Sequence, residues 1–272
     1  MQGKTVLITG AAGGLGRLTA LALARQGAHL IVHARSEEKA APVVAEIMQL
    51  GGSAEPLAIN LDVMQSVREG AARVCSKHPK LHALINNAGI WAGTREVTSE
   101  GFERTWAVNV LAPWLLTELL MEPLKAAQGA RVINLSSNEH YLGKIKWDNL
   151  HLEKGYAARY AYRRSKLALT MLTNEFAARV AGSGIVANSL HPGVSGTGLF
   201  RNFSGFIQFW IRLLMRSAES CSLPVIRLAS APELSSETGR FFRRFNIRRP
   251  HRLARDAAAC KRLRDIVASQ VK

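Results

Sequence analysis

A strand, a glycine-rich turn and a helix follow one another at the start of this chain, and that order narrows the folds open to it. Lys4 to Thr9 is a short apolar run with β-branched residues and reads as a strand. Thr9-Gly10-Ala11-Ala12-Gly13-Gly14-Leu15-Gly16 follows, and a helical pattern runs from about Gly14 to Gln26. Glycines let a backbone bend tightly and come close to a ligand, while the free N–H groups that open a helix point at an anion. A glycine cluster alone carries little weight. Flanked by strand and helix, it suits a pyrophosphate, which makes Gly10, Gly13, Gly14, Leu15 and Gly16 candidate contacts.

The same alternation continues. His29 to Ala34 reads as a second strand with its helix at Glu37 to Leu50, and Ala54 to Asn60 as a third with its helix at about Met64 to Lys77. His82 to Asn86 is a fourth strand, followed after a loop by a long helix from about Ser99 to Ala127, in which Pro113 predicts a kink or a boundary. Arg131 to Ser136, Gly184 to Leu190 and Gly239 to Phe245 complete about seven strands, with a helix at Ala157 to Arg179 between the fifth and sixth. Strands separated by helices need crossover connections, so the expected fold is α/β, a Rossmann-type, doubly wound parallel sheet. One domain over residues 1–246 with a basic helical extension over 247–272 is the simplest division.

Two segments break the pattern, and both leave strands at their carboxyl ends, where open α/β sheets bind ligands. Asn138 to Gly155 is a long link. Leu199 to Arg216 is strongly apolar and edged by Arg201, Arg212 and Arg216, with no acid. It reads as a cap over an apolar substrate pocket, as a helix lying on an anionic membrane surface, or as core packing.

Three cysteines without a CxxC spacing point to a reducing compartment, and the eight histidines include no HExxH pair, so no metal site is expected. The first strand begins too early to leave room for a signal peptide or an N-terminal anchor, and no run of 18 apolar residues suggests a membrane span. The expected location is cytoplasmic, with peripheral contact at an anionic membrane as the variant that the charge allows. That charge is +16, and from Gly239 to Lys272 eleven Lys or Arg face only Asp256 and Asp265. A basic tail can serve membranes, nucleic acid or an acidic partner, or be a solvated surface. Nucleic acid is not expected as a partner, since no aromatic stacking set or reading motif accompanies the arginines.

Where a dinucleotide fold that prefers NAD places an acid at the end of its second strand, this chain has His33-Ala34-Arg35-Ser36. Arg35, helped by Arg17 after the last glycine, suits a 2′-phosphate by charge and bidentate geometry, which predicts NADP(H). In the helix Ala157 to Arg179, Tyr162 and Lys166 stand four apart and so share a face. An ammonium at ~4 Å and an effective dielectric of ~20 would favour the phenolate by at most about 4 kcal/mol, roughly three pKa units. Lys166 is thus expected to bring Tyr162 toward neutral-pH proton transfer.

Together these motifs resemble the short-chain dehydrogenase/reductase family over nearly the whole chain, from Lys4 to about Val271. Thr9 to Gly16 matches its T-G-x-x-x-G-x-G turn, and Asn86-Asn87-Ala88-Gly89 its N-N-A-G stretch. Asn109 falls where the family carries its active-site Asn, Ser137 aligns with the catalytic Ser, and Tyr162 with Lys166 matches Y-x-x-x-K. His191-Pro192-Gly193-Val194 and Thr197 match the segment that holds the nicotinamide. The resemblance implies four catalytic residues, Asn109, Ser137, Tyr162 and Lys166. It also implies a cofactor lining that takes in Asn60, Leu61, Asn87, Ala88, Gly89, Pro192, Val194 and Thr197. Asn60 stands where the family usually has Asp against the adenine, and Asp62 lies two positions on.

Ser137 and Tyr162 are 25 residues apart, a longer link than most members have, which is similar to the retinol dehydrogenase-like branch. That likeness implies interconversion of a lipophilic aldehyde or ketone with its alcohol, Tyr162 serving as general acid and base. Asn109 would fix a relay water, and the long helix with the Tyr162 helix would supply the faces of a homodimer or homotetramer. A catalytically weak NADPH sensor or a basic binding module is the rival reading. An intact Asn–Ser–Tyr–Lys set favours the enzyme.

Overall fold

A computed structural model of the chain describes residues 1–193 and 217–272. Eight strands form one sheet in the order β3-β2-β1-β4-β5-β6-β7-β8. They are β1 (Thr5–Ile8), β2 (His29–Ala34), β3 (Ser53–Ala58), β4 (Ala83–Asn86), β5 (Arg131–Leu135), β6 (Val186–His191), β7 (Phe241–Arg243) and β8 (Asn246–Arg248). The first seven run parallel, and β8 turns back antiparallel on β7, with Phe242 opposite Ile247. The eighth strand carries no apolar alternation and is exposed throughout, which is why the sequence offers about seven.

Alternate residues along each strand feed opposite layers, the two-residue period of a pleated sheet. Val6 and Ile8 join a core with α1 (Gly14–Arg25) and α2 (Glu37–Gln49), whereas Leu7 joins the other, with α3 (Met64–Lys77) and the later helices. The order reverses between β1 and β4, which opens a crevice at the carboxyl ends of the strands.

The expected helix over 99–127 is divided. Val97 pairs with Glu103 in a short bridge. The buried Glu103 carboxylate then caps α4 (Arg104–Trp106), accepting from the N–H groups of Thr105 and Trp106 at 2.7 and 3.0 Å. A π-helical turn, Ala107–Leu111, carries the chain into α5 (Ala112–Leu119), with Pro113 in its first turn, and α6 (Met121–Ala126) follows. Proline fits there because a first turn has no need of its N–H.

The catalytic-candidate helix is α7 (Ala158–Arg179). From residue 217 onward come α8 (Ala218–Ser230), which packs against α1, and α9 (Ala257–Gln270), which packs against α7. Leu263 and Val267 of α9 are fully buried in the same core as Leu167 and Met171 of α7. The basic C-terminal segment is therefore part of this core, and the boundary drawn at 246/247 falls inside β8. Its arginines are exposed except Arg264, which is half-buried and paired with Glu175, and Phe245 and Ile247 are exposed on the β7–β8 hairpin. Among the described residues no helix is long and apolar enough to cross a membrane.

Candidate active site

A cleft of about 1490 Å³ runs along the carboxyl ends of the strands, from the glycine turn to α7. Gly10 and Gly14 adopt positive φ, +66° and +51°, so this turn needs residues without a Cβ. A Cβ on Gly16 would lie 2.4 Å from the Gly10 carbonyl oxygen. The turn is held from two sides. Asn87 Nδ2 donates to the carbonyls of Thr9 (2.7 Å) and Gly10 (3.2 Å), and the Ala88 N–H donates to Thr9 Oγ1 (3.0 Å).

From the other side, the Gly10 N–H donates to His33 Nδ1 at 2.9 Å, while His33 Nε2 meets the Ile59 carbonyl at 3.0 Å. An Nδ1 that accepts requires the proton on Nε2, so this neutral imidazole bridges the turn to the end of β3. Burial pushes its pKa down to about 4. His33 was not among the expected site residues, although a histidine inside an otherwise apolar strand was a visible signal.

The residues present fit a dinucleotide. α1 opens on Gly13 with no side-chain cap and no acid in its first turn, and a Cβ on Gly13 would meet nothing within 4 Å. Bare N–H groups with open space before them are what a pyrophosphate requires. Leu15, Asn60, Leu61, Ala88, Gly89 and Pro192 line the same cleft.

At its mouth Arg35 is exposed, and Lys39, four residues on, joins it. Arg17 does not line the cleft: its guanidinium is paired with Glu46 of α2 at 2.5–2.8 Å. That partner, 29 residues away in sequence, draws the side chain off the expected phosphate position. Asn60 spends its Oδ1 on the Asp62 N–H (3.1 Å), and Asp62 is paired with Arg104 (3.1 Å). Val194 and Thr197 lie outside the described residues, as does the apolar segment 199–216.

At the other end of the cleft, α7 and the end of β5 bring Ser137, Tyr162 and Lys166 together, all buried. Lys166 Nζ donates to the Leu135 carbonyl at 2.8 Å and lies over the Tyr162 ring, 5.5 Å from its centroid. The expectation that Lys166 lowers the phenol is not met. Burial raises Tyr162 to about 12, opposed by a hydrogen bond with Ser137 and reinforced by the Glu139 carboxylate. The ammonium donates to a carbonyl and lies over the ring, and burial pushes Lys166 itself down to about 8.

Asn109 sits in the π turn, behind the cleft wall. Its Oδ1 accepts from the Ile90 N–H (2.8 Å), and its Nδ2 donates to the Ile90 carbonyl (2.9 Å) and Ser165 Oγ (3.0 Å). Gly89 lies between it and Lys166: a Cβ there would be 3.2 Å from Nζ and 3.4 Å from Asn109 Oδ1. Trp91 stacks on the Tyr162 ring with centroids 4.7 Å apart and lines the cleft. No periodicity or motif marks this tryptophan in the sequence.

Residues 4–206 match the family model described as short chain dehydrogenase. Human retinol dehydrogenase 13 is 38% identical over 276 residues, covering 97% of this chain and 83% of the relative. A solved protein of Mycobacterium paratuberculosis superposes with a TM-score of 0.81 at 28% identity, covering 99% of this chain and 94% of that one. A short chain dehydrogenase of Burkholderia cenocepacia, solved in complex with NADP, gives 0.73 at 26%, covering 89% and 96%. The chain belongs to the short-chain dehydrogenase/reductase family of nicotinamide-dependent oxidoreductases. Within that family it is retinol dehydrogenase-like.

Proposed function

We propose that this protein is an NADP(H)-dependent oxidoreductase that interconverts a lipophilic aldehyde or ketone and its alcohol. One observation carries the reading. The Ser137 and Tyr162 hydroxyls and the Lys166 ammonium meet in a cleft continuous with an uncapped, acid-free helix N-terminus. A reduced nicotinamide bound in this cleft would supply the hydride.

The chain's own residues do the rest. Ser137 donates a hydrogen bond to the substrate oxygen and stabilises the charge that develops there. Tyr162, held protonated at neutral pH by burial, gives its proton to that oxygen as the alcohol forms. In the reverse direction the phenolate takes it back. Lys166, beside Gly89 and anchored on Leu135, fixes the cofactor ribose and returns a proton to the phenol. Asn109 positions this corner by joining the Ile90 loop to Ser165.

Arg35 and Lys39 take the 2′-phosphate that distinguishes NADP from NAD, a preference in keeping with the NADP-bound relative. Trp91 on the Tyr162 ring makes the substrate side apolar, which suits a lipophilic carbonyl. The test is a panel of lipophilic aldehydes and ketones followed by NADPH absorbance. Saturable turnover on at least one class is the expected result. Salt-sensitive nucleic-acid binding with no turnover across the panel would favour a binding module instead.

A further inference from the structure

The opposite end of the sheet carries a second cluster, unrelated to the cleft. We propose that His29, Glu55 and His78 bind one divalent transition-metal ion, with zinc the best match. His29 opens β2, Glu55 lies on the adjacent β3, and His78 is the residue that ends α3. β2 and β3 pair with His29 opposite Ser53. Glu55, two residues further on, therefore presents its side chain on the same face as His29. One donor atom from each of the three residues can be chosen so that all lie within 4.8 Å of one another.

The bonding around His29 points to a ligand. Its Nδ1 is 2.7 Å from Ser53 Oγ, whereas its Nε2 is buried and has no hydrogen-bond partner. A ring that donates from Nδ1 to the serine carries its lone pair on Nε2. This is how metal-binding histidines are oriented, with the second nitrogen fixed by an outer partner. The His78 ring is 5.4 Å from that of His29, centroid to centroid, and His78 Nε2 meets Glu55 Oε1 at 2.7 Å.

Two imidazoles and a carboxylate, with a water in the fourth position, form a donor set that zinc accepts and that hard cations such as magnesium do not prefer. A cation here also faces the negative end of the α3 dipole. With bonds of about 2.0–2.1 Å, tetrahedral donors sit roughly 3.4 Å apart, so donors now up to 4.8 Å apart must close in by up to about 1.4 Å, while the His78–Glu55 pair at 2.7 Å opens slightly. Glu55 and His78 are partly exposed and their side chains can turn inward. The ion would replace the His78–Glu55 hydrogen bond and tie the end of α3 to the edge strands. β2 separates it from the cleft by its full six residues, about 20 Å, so its effect falls on stability and not on hydride transfer.

The experiment uses the full chain, freed of metal with a chelator, and titrates zinc chloride by calorimetry alongside thermal melts. One equivalent should bind and raise Tm, while magnesium at the same concentration should not. Glu55→Gln keeps the side-chain shape, so it serves as the variant least prone to misfold; His29→Ala/His78→Ala removes both nitrogens. Each should weaken binding by roughly 10–100-fold or more and abolish the Tm rise. Cys75→Ser, which removes the exposed thiol, should leave both unchanged. No zinc-dependent Tm rise in the wild type, or binding that survives Glu55→Gln and depends on Cys75, would overturn the assignment.

Discussion

On the proposed reading, Arg35 and Lys39 are the residues that set the choice of cofactor. Both are exposed at the cleft mouth, on consecutive turns around the start of α2, where an NAD-preferring fold would place an acid. Charge-assisted hydrogen bonds are worth about 1.5–3 kcal/mol. Arg35→Ala should therefore raise KM for NADPH by about 10–100-fold and leave KM for NADH nearly unchanged, as steady-state kinetics with both cofactors would reveal. An unaltered NADPH preference would remove Arg35 from the site. Arg17, by contrast, was assigned to the phosphate from its place after the last glycine, and its pairing with Glu46 could be seen only once α1 and α2 were packed together. Lys39 was legible in principle, as a base one turn beyond Arg35. Trp91 was not, because its significance rests on a contact 71 residues away in sequence.

Elements placed by hydrophobic period were read well, and those shaped by buried charge were not. The β1–α1 and β2–α2 units follow their apolar patterns to within a residue or two. The region 99–127 follows its pattern only from Arg104, because Glu103 turns inward to cap α4 and to pair with Arg164 of α7. That pair is almost fully buried, 0% and 2% exposed at the side chains, with Arg164 also 5.0 Å from the Trp106 ring centroid. It joins the start of the π turn that bears Asn109 to the helix that bears Tyr162. Removing one partner of such a pair leaves the other charge buried, which costs about 3–5 kcal/mol. Arg164→Ala should lower the free energy of urea unfolding by that amount. The double change Glu103→Gln/Arg164→Met should cost clearly less. Equal losses in the two would argue that the ion pair is not what holds these elements together.

Across the molecule, three buried histidines link stability to pH. Burial pushes His33, His140 and His191 each down to about 4 from 6.5. The unfolded chain takes up protons from about pH 6.5 downward, while the folded chain resists until about pH 4. Stability is therefore full above pH 6.5 and falls as pH drops through this window, at up to about 1.4 kcal/mol per pH unit per histidine. Urea unfolding at pH 7 and pH 5 should differ by several kcal/mol, on the order of 3–5, with the lower value at pH 5. A flat profile would mean that these imidazoles do not stay neutral in the folded chain.

In the proposed carbonyl chemistry it is the buried phenol of Tyr162 that transfers the proton. Phenylalanine keeps the ring, its stacking on Trp91 and its place over Lys166, and removes only the hydroxyl. The most direct test is to measure turnover of the best carbonyl substrate and NADPH affinity together in wild type and Tyr162→Phe. The kcat of Tyr162→Phe should fall by at least about 10²–10⁴-fold, the usual worth of a positioned general acid, with NADPH affinity within a few-fold of wild type. A Tyr162→Phe enzyme that keeps most of its kcat would contradict that role.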